Sequence, residues 1–199
     1  MGEKVYFLAG IGVIATIVFL LVRVKRGGVK GIIAKTVASL FFVATASAAI
    51  IESGNVLFGI LVIMGLVFGL VGDIFLDLKV VYSNDSDQWL FAGMSSFTSG
   101  HILYLAATYF VMPLPGENFV SFMVIPALIA LAFAIAILLI APFLKLHYGK
   151  FTIPTFLYAF LLSFWVFVTG SVAITAGYTA LWIMLFAGAT LFIISDLIL

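Results

Sequence analysis

The stretch Gly65-Leu-Val-Phe-Gly-Leu-Val-Gly-Asp-Ile-Phe-Leu-Asp77 closes a long apolar run and carries two carboxylates. Gly65, Gly69 and Gly72 recur at spacings of four and three, so they share one face of a helix and let a neighbouring helix approach closely. An ionisable side chain such as Asp73 costs about 2.5–3.5 kcal/mol at the centre of a membrane helix. We therefore predict a tightly packed membrane helix whose buried acid has a partner or a function.

The composition of the whole chain fits this interpretation. Its 199 residues are 65% hydrophobic and 9% charged, with a mean hydropathy of +1.37. A soluble domain of this size cannot bury so much apolar surface, which indicates an integral membrane protein. The net charge of +1 gives no reason to expect a nucleic-acid partner. The absence of cysteine excludes disulfides, thiol nucleophiles and cysteine-based metal sites.

Seven apolar runs are long enough to cross a membrane, since a span needs about 20 residues. We predict an all-α polytopic transmembrane helix bundle that forms one domain over residues 1–199. The connections are short, so consecutive spans are expected to be antiparallel neighbours. The predicted spans are Val5–Val24, Gly31–Ile51, Val56–Leu78, Trp89–Met112, Phe119–Ile140, Phe151–Ala173 and Tyr178–Leu199.

The distribution of Lys and Arg predicts the orientation of these spans. Most basic residues fall in the first, third and fifth connections, which are therefore expected on the cytoplasmic side. The N-terminus is then outside, and the protein is expected to be multi-pass in the plasma (inner) membrane. At 1.5 Å per residue, Asp73 and Asp196 are about 25 Å from the outer ends of their spans. Both carboxylates are therefore predicted in the cytoplasmic half of the membrane.

Asp73 and Asp196 are the strongest candidates for a functional role. Each follows a small residue, and each is either a structural acid bonded to a neighbouring helix or a catalytic or proton-carrying acid. We predict function for both because of the cost of burying them. Asp77 is one turn beyond Asp73, and we predict that it is a solvated helix end at the membrane interface.

Four further polar residues are weaker candidates. His101 and Tyr104 share a helix face at i, i+3; the histidine is either hydrogen-bonded within the bundle or functional. Lys35 either extends its ammonium to the cytoplasmic surface or acts as a counter-ion or phosphate ligand beside the acids. Tyr158 either packs at the membrane interface or forms part of a site.

The sequence gives little support for a metal site or a cofactor. Without cysteine and with one intramembrane histidine, a three-histidine zinc site cannot form. Asp73, Asp196 and His101 offer enough ligands for one metal ion, but they lack a recognisable ligand spacing. Acid–base chemistry needs only the carboxylates, so we predict neither metal nor cofactor.

Three stretches of the chain resemble the characteristic stretches of the YhhN family, which includes the lysoplasmalogenases. They are Gly-Asp-Ile-Phe-Leu at 72–76, Phe-Thr-Ser-Gly-His-Ile-Leu-Tyr at 97–104 and Gly-Ala-Thr-Leu-Phe-Ile-Ile-Ser-Asp at 188–196. Lys35-Thr36 resembles the Lys-Pro step of the family's second span, with Thr in place of Pro. The resemblance also implies an eighth span after the Ser-Asp motif, whereas the seventh predicted span ends at Leu199. Asp77 stands where the family usually has an apolar residue.

The resemblance implies hydrolysis of the vinyl-ether bond of lysoplasmalogens, giving a fatty aldehyde and glycerophospho-ethanolamine or -choline. A lysophospholipid substrate and the lipid bilayer are then the expected partners. Asp73 and Asp196 would form an acid–base pair on one hollow that opens to the cytoplasm, comparable to the acid pair of glycosidases. His101 would assist them, Tyr104 would orient water or glycerol, and Lys35 and Tyr158 would contact substrate.

Two alternatives to this hydrolase remain open at the level of sequence. In a proton-coupled transporter or lipid-binding membrane protein, the buried acids and His101 would act as a proton relay. In a metal-dependent membrane hydrolase, the acids would be ligands. The prolines lie near the ends of the spans, whereas a transporter typically interrupts its helices near the midplane.

Overall fold

The computed structural model describes residues 2–26, 28–112 and 120–198. These residues form seven long helices and no β-strand, which confirms the predicted all-α class. Six of the seven helices, all except the fourth, are long and apolar enough to cross a membrane. The helices are α1 (Glu3–Arg26), α2 (Gly28–Ser53), α3 (Val56–Val81), α4 (Ser86–Val111), α5 (Ile125–Ile140), α6 (Thr152–Thr175) and α7 (Ala180–Ile198).

The observed helices follow the predicted spans closely. Most predicted ends differ from the observed ones by no more than three residues, because the helices extend a little into the polar connections. The fifth span differs most, since a π-helical segment at Val120–Val124 precedes α5. Pro126 lies in the first turn of α5, directly after this segment, and has no N–H to donate to it. The predicted connection at 113–118 and the predicted span ends Phe119 and Leu199 lie outside the described residues.

The helices divide into two compact units, residues 1–107 and residues 108–199. In unit 1, α1 packs against α2 and α2 against α3, which confirms that these consecutive spans are neighbours. The turn between α2 and α3 consists of Gly54 and Asn55. Gly54 adopts a left-handed backbone with φ of 70°, which glycine tolerates best, and the side chain of Asn55 accepts a hydrogen bond from the N–H of Phe58.

Glycines bring α3 and α4 into close contact within unit 1. A methyl group added at Gly72 would lie 2.8 Å from the ring of Phe97, and one added at Gly100 would lie 3.0 Å from the carbonyl oxygen of Gly65. Ser96 donates a hydrogen bond of 2.6 Å to the carbonyl oxygen of Phe68 at the same interface. These contacts confirm that the glycine stripe of α3 allows a close helix approach.

Unit 2 is organised around α6, whose span is the most buried of the six apolar ones. A cluster of buried side chains joins α6 to the π-helical segment and to α7. It comprises Met112, Phe122, Val172, Ala173 and Trp182. The indole N–H of Trp165 donates a 3.0 Å hydrogen bond to Thr108, so a buried polar pair lies among these apolar contacts.

Candidate functional site

The first acid of the opening stretch, Asp73, forms an ion pair within unit 1. The Nζ atom of Lys35 on α2 lies 2.9 Å from Oδ1 of Asp73 on α3. The side chains are 23% and 30% exposed, so the pair is only partly shielded from its surroundings. Ser39, one turn after Lys35 on α2, lies near the Asp73 carboxylate. Of the two alternatives for Lys35, the structure shows the counter-ion; a role in binding substrate stays a prediction.

The prediction that Asp77 is a solvated helix end is wrong. Its side chain is only 7% exposed, and its Oδ1 atom lies 2.7 Å from a guanidinium nitrogen of Arg23 on α1. The reason is that Arg23, in the last turn of α1, lies beside the end of α3 and covers the carboxylate. Because Arg23 is 45% exposed, it pairs with the buried carboxylate and still reaches the surface.

His101 and Tyr104 lie together on α4, as their spacing predicts. The centroids of their rings are 5.7 Å apart, and the rings are arranged edge to face. His101 is almost fully buried, and its Nδ1 atom lies 2.7 Å from the carbonyl oxygen of Phe97, one turn earlier. Tyr104 covers Gly65 on α3, where a methyl group would collide with its ring. Close packing against α3 thus holds the tyrosine in place.

Unit 2 gives Asp196 a different partner. The hydroxyl of Tyr158 on α6 donates a hydrogen bond to Oδ2 of Asp196 on α7. Both side chains are partly buried, whereas the neighbouring Ser195 is exposed. This contact makes Tyr158 the partner of an acid rather than a simple packing residue. A contact of either residue with substrate stays a prediction.

The structure thus brings the six predicted site residues together in three pairs. Lys35 with Asp73 and His101 with Tyr104 belong to unit 1, and Tyr158 with Asp196 belongs to unit 2. Because the two acids belong to different units, their action as one pair stays a prediction. Among the described residues, no three His, Asp or Glu side chains form a cluster that could hold a metal ion.

Three neighbours of the acids were not predicted from the sequence. Ser39 follows Lys35 by four residues, so the helical repeat already placed it on the same face. Arg23 lies at the end of the first predicted span, Val5–Val24, and no local pattern indicated that it would contact Asp77. The link from Tyr158 to Asp196 joins residues 38 positions apart, and no local pattern reports such a contact.

Comparison with known proteins identifies one family. The model of the YhhN family matches residues 30–199, which includes every predicted site residue. No curated protein and no solved structure matches the chain.

Proposed function

Because the chain belongs to the YhhN family, we propose that it is a membrane-embedded, lysoplasmalogenase-like hydrolase. Its apolar helices make it an integral multi-pass membrane protein of that family. The proposed reaction cleaves the vinyl-ether bond of a lysoplasmalogen. The products are a fatty aldehyde and glycerophosphoethanolamine or glycerophosphocholine.

The reaction needs one acid and one carboxylate. A carboxylic acid first gives its proton to the β-carbon of the vinyl ether, which leaves an oxocarbenium ion at the α-carbon. Water then adds to the α-carbon, loses a proton to a base and forms a hemiacetal. Collapse of the hemiacetal breaks the bond to the glycerol oxygen, which takes up a proton, and releases the aldehyde. A nearby carboxylate stabilises the cation and positions the water, as in glycosidases.

The ion pair of Asp73 supports a division of roles between the two acids. The Nζ atom of Lys35, 2.9 Å away, gives Asp73 a positively charged partner, whereas the partner of Asp196 is the neutral phenol of Tyr158. Asp73 is therefore the proposed carboxylate that stabilises the cation and receives the proton from water. Asp196 is then the proposed proton donor. A protonated Asp196 can accept the hydrogen bond of Tyr158 on its carbonyl oxygen and carry its proton on the other oxygen.

The remaining predicted residues act through positioning in this proposal. His101 and Tyr104 lie edge to face on α4, and the phenol of Tyr104 rests against α3 eight residues before Asp73. Their proposed role is to orient water or the glycerol. The observation that carries the whole proposal is the Lys35–Asp73 pair: a lipid-spanning helix keeps a carboxylate and supplies it with a dedicated cation.

The test is aldehyde release from a lysoplasmalogen by purified protein in detergent or liposomes. Asp73→Asn and Asp196→Asn should each lower the rate by at least about a hundredfold, the usual contribution of an acid or base. Asp85→Asn is the matched control, because Asp85 is an exposed acid in the turn between α3 and α4. Near-native rates for both Asp73→Asn and Asp196→Asn would refute the proposal.

A further inference from the structure

A groove of about 440 Å³ lies between α1 and α2 on the surface of unit 1. Its lining residues recur at spacings of three and four on each helix, so one face of α1 and one face of α2 form its walls. They are Val18, Leu21, Val22 and Lys25 of α1, and Lys30, Ile33 and Ala34 of α2. Each wall is therefore an apolar stripe that carries one lysine.

The two lysines lie at the same end of the groove. Lys25 lies one residue before the end of α1, and Lys30 lies two residues after the start of α2. These helix ends are also the ends of the first two membrane spans, so both ammonium groups lie at the level of the lipid head groups. From Lys25 the groove follows α1 back to Val18, about 10 Å toward the membrane interior.

The charges of these lysines are not neutralised by the described part of the chain. Arg23 on α1 pairs with Asp77, whereas neither Lys25 nor Lys30 forms an ion pair with a described carboxylate. Both lysines are exposed. In the apolar part of the groove, Ile33 is more than half exposed, so this surface is open as well. The groove thus combines a positive end with an apolar floor, the two features that an anionic lipid complements.

A second groove, in unit 2, shows what the lysines add. Its volume is about 540 Å³, and apolar side chains of the π-helical segment, α5 and α6 line it. They are Met123, Val124, Ala127, Leu128, Leu131, Phe160 and Phe164. A groove with this lining accepts an acyl chain whatever head group the chain carries. The groove between α1 and α2 differs in its positive end, and this charge identifies its occupant as an anionic lipid.

We propose that the groove between α1 and α2 binds one anionic phospholipid. Its phosphate lies between Lys25 and Lys30, and the adjoining part of an acyl chain lies along the apolar stripes. A zwitterionic head group would bring its own ammonium toward the two lysines, and the resulting repulsion would offset part of the attraction of the phosphate. None of the six predicted site residues lines the groove, so the proposal does not depend on the hydrolase activity.

The affinity of the purified protein for two lipids tests the proposed charge selectivity. The probes are dioleoyl phosphatidylglycerol, which is anionic, and dioleoyl phosphatidylcholine, which is zwitterionic and has the same acyl chains. Native mass spectrometry gives the dissociation constant of the first bound lipid. The native protein should bind the anionic lipid at least about tenfold more tightly, because each basic residue near a membrane surface contributes about a fivefold preference.

Charge variants test the role of the two lysines. The double variant Lys25→Gln/Lys30→Gln should bind phosphatidylglycerol only as tightly as phosphatidylcholine. The matched control is Lys4→Gln/Lys145→Gln, which removes the same charge from exposed lysines outside the groove and should keep the preference. Lys25→Arg/Lys30→Arg should also keep it, because both positive charges remain. Thermal unfolding in detergent checks that each variant is folded.

A groove-filling variant tests the location of the site without a change of charge. Ala34→Leu places a larger side chain in the groove beside both lysines and should weaken binding of phosphatidylglycerol by about tenfold. Ala127→Leu is the matched control, because Ala127 lines the groove of unit 2 and is partly buried like Ala34. It should leave the affinity of the first phosphatidylglycerol unchanged.

Equal affinities of the native protein for the two lipids would overturn the proposal. So would a preference that survives in folded Lys25→Gln/Lys30→Gln, or native binding of phosphatidylglycerol by Ala34→Leu. A dimer of the native chain that Ala34→Leu dissociates would place a second copy in the groove, and this result would also overturn the proposal.

Discussion

The two units of the molecule each hold a membrane aspartate, but they give it different partners. Asp73 in unit 1 contacts the ammonium of Lys35, whereas Asp196 in unit 2 accepts a hydrogen bond from the phenol of Tyr158. The local sequences are alike, since each acid follows a small residue near the end of an apolar helix. Because the local motifs are alike, the chemistry proposed for each acid follows from its partner.

The units also differ in how their helices pack. In unit 1, glycines let α3 and α4 approach until backbone and ring atoms touch. In unit 2, α6 buries large apolar side chains and a hydrogen bond between Trp165 and Thr108. Helix packing in unit 1 therefore requires glycine at particular positions of α3 and α4. Helix packing in unit 2 depends on large buried side chains.

The largest expected effect tests whether the two acids serve one reaction. Asp73→Asn and Asp196→Asn are each expected to lower kcat for aldehyde release by about 10²–10⁴-fold. Residues that act as a unit are strongly non-additive, so the double variant should be little slower than the slower single variant. Losses that multiply in the double variant would show that the two acids act independently rather than in one reaction.

Removal of the partner of each acid, Lys35 or Tyr158, should reveal the different roles of the two acids. Lys35→Met should lower the rate of aldehyde release by about 10–100-fold, because it leaves a partly buried carboxylate without its cation. Tyr158→Phe removes one hydrogen bond and should cost about tenfold. Both variants are compared with the native protein by steady-state kinetics. Lys145→Met is the control, because Lys145 is exposed. A larger loss for Tyr158→Phe than for Lys35→Met would reverse the proposed roles.

The glycine packing of unit 1 is tested by two neighbouring substitutions. Gly72→Ala should destabilise the protein by about 1–3 kcal/mol, because its methyl group would overlap the buried ring of Phe97. Gly69→Ala is the matched control: Phe97 is 4.0 Å from that added methyl, so alanine should be neutral or stabilising. Thermal unfolding in detergent measures both, and equal stability of the two variants would show that the glycine contact at Phe97 is unimportant.

The smallest expected effect concerns the buried hydrogen bond of unit 2. Thr108→Val keeps the side-chain shape but removes the acceptor of the Trp165 indole, which should cost about 1 kcal/mol. Thr190→Val provides the comparison, since Thr190 is only partly buried and its hydroxyl donates to the carbonyl oxygen of Phe186 on its own helix. Thermal unfolding in detergent should show a larger loss of stability for Thr108→Val than for Thr190→Val. A larger loss for Thr190→Val would mean that the buried bond contributes less than the exposed one.

The sequence predicted the helices well because apolar length is a local property. It also predicted that the glycines of α3 would meet a neighbouring helix and that His101 and Tyr104 would share a face, since both follow from the helical repeat. Asp77 was placed wrongly because its burial depends on Arg23, 54 positions earlier in the chain. The same reason hid the contact of Tyr158 with Asp196, because local patterns carry no information on which distant side chains meet.

The most direct measurement of the proposed chemistry is the isotopic composition of the aldehyde. Purified protein is incubated with a lysoplasmalogen in D₂O, and the aldehyde is reduced at once to an alcohol that no longer exchanges. Protonation of the vinyl β-carbon predicts one carbon-bound deuterium next to the former carbonyl carbon in the native product, and no product above background for Asp73→Asn. Aldehyde without that deuterium, or no aldehyde above protein-free liposomes, would contradict acid-catalysed vinyl-ether hydrolysis by this protein.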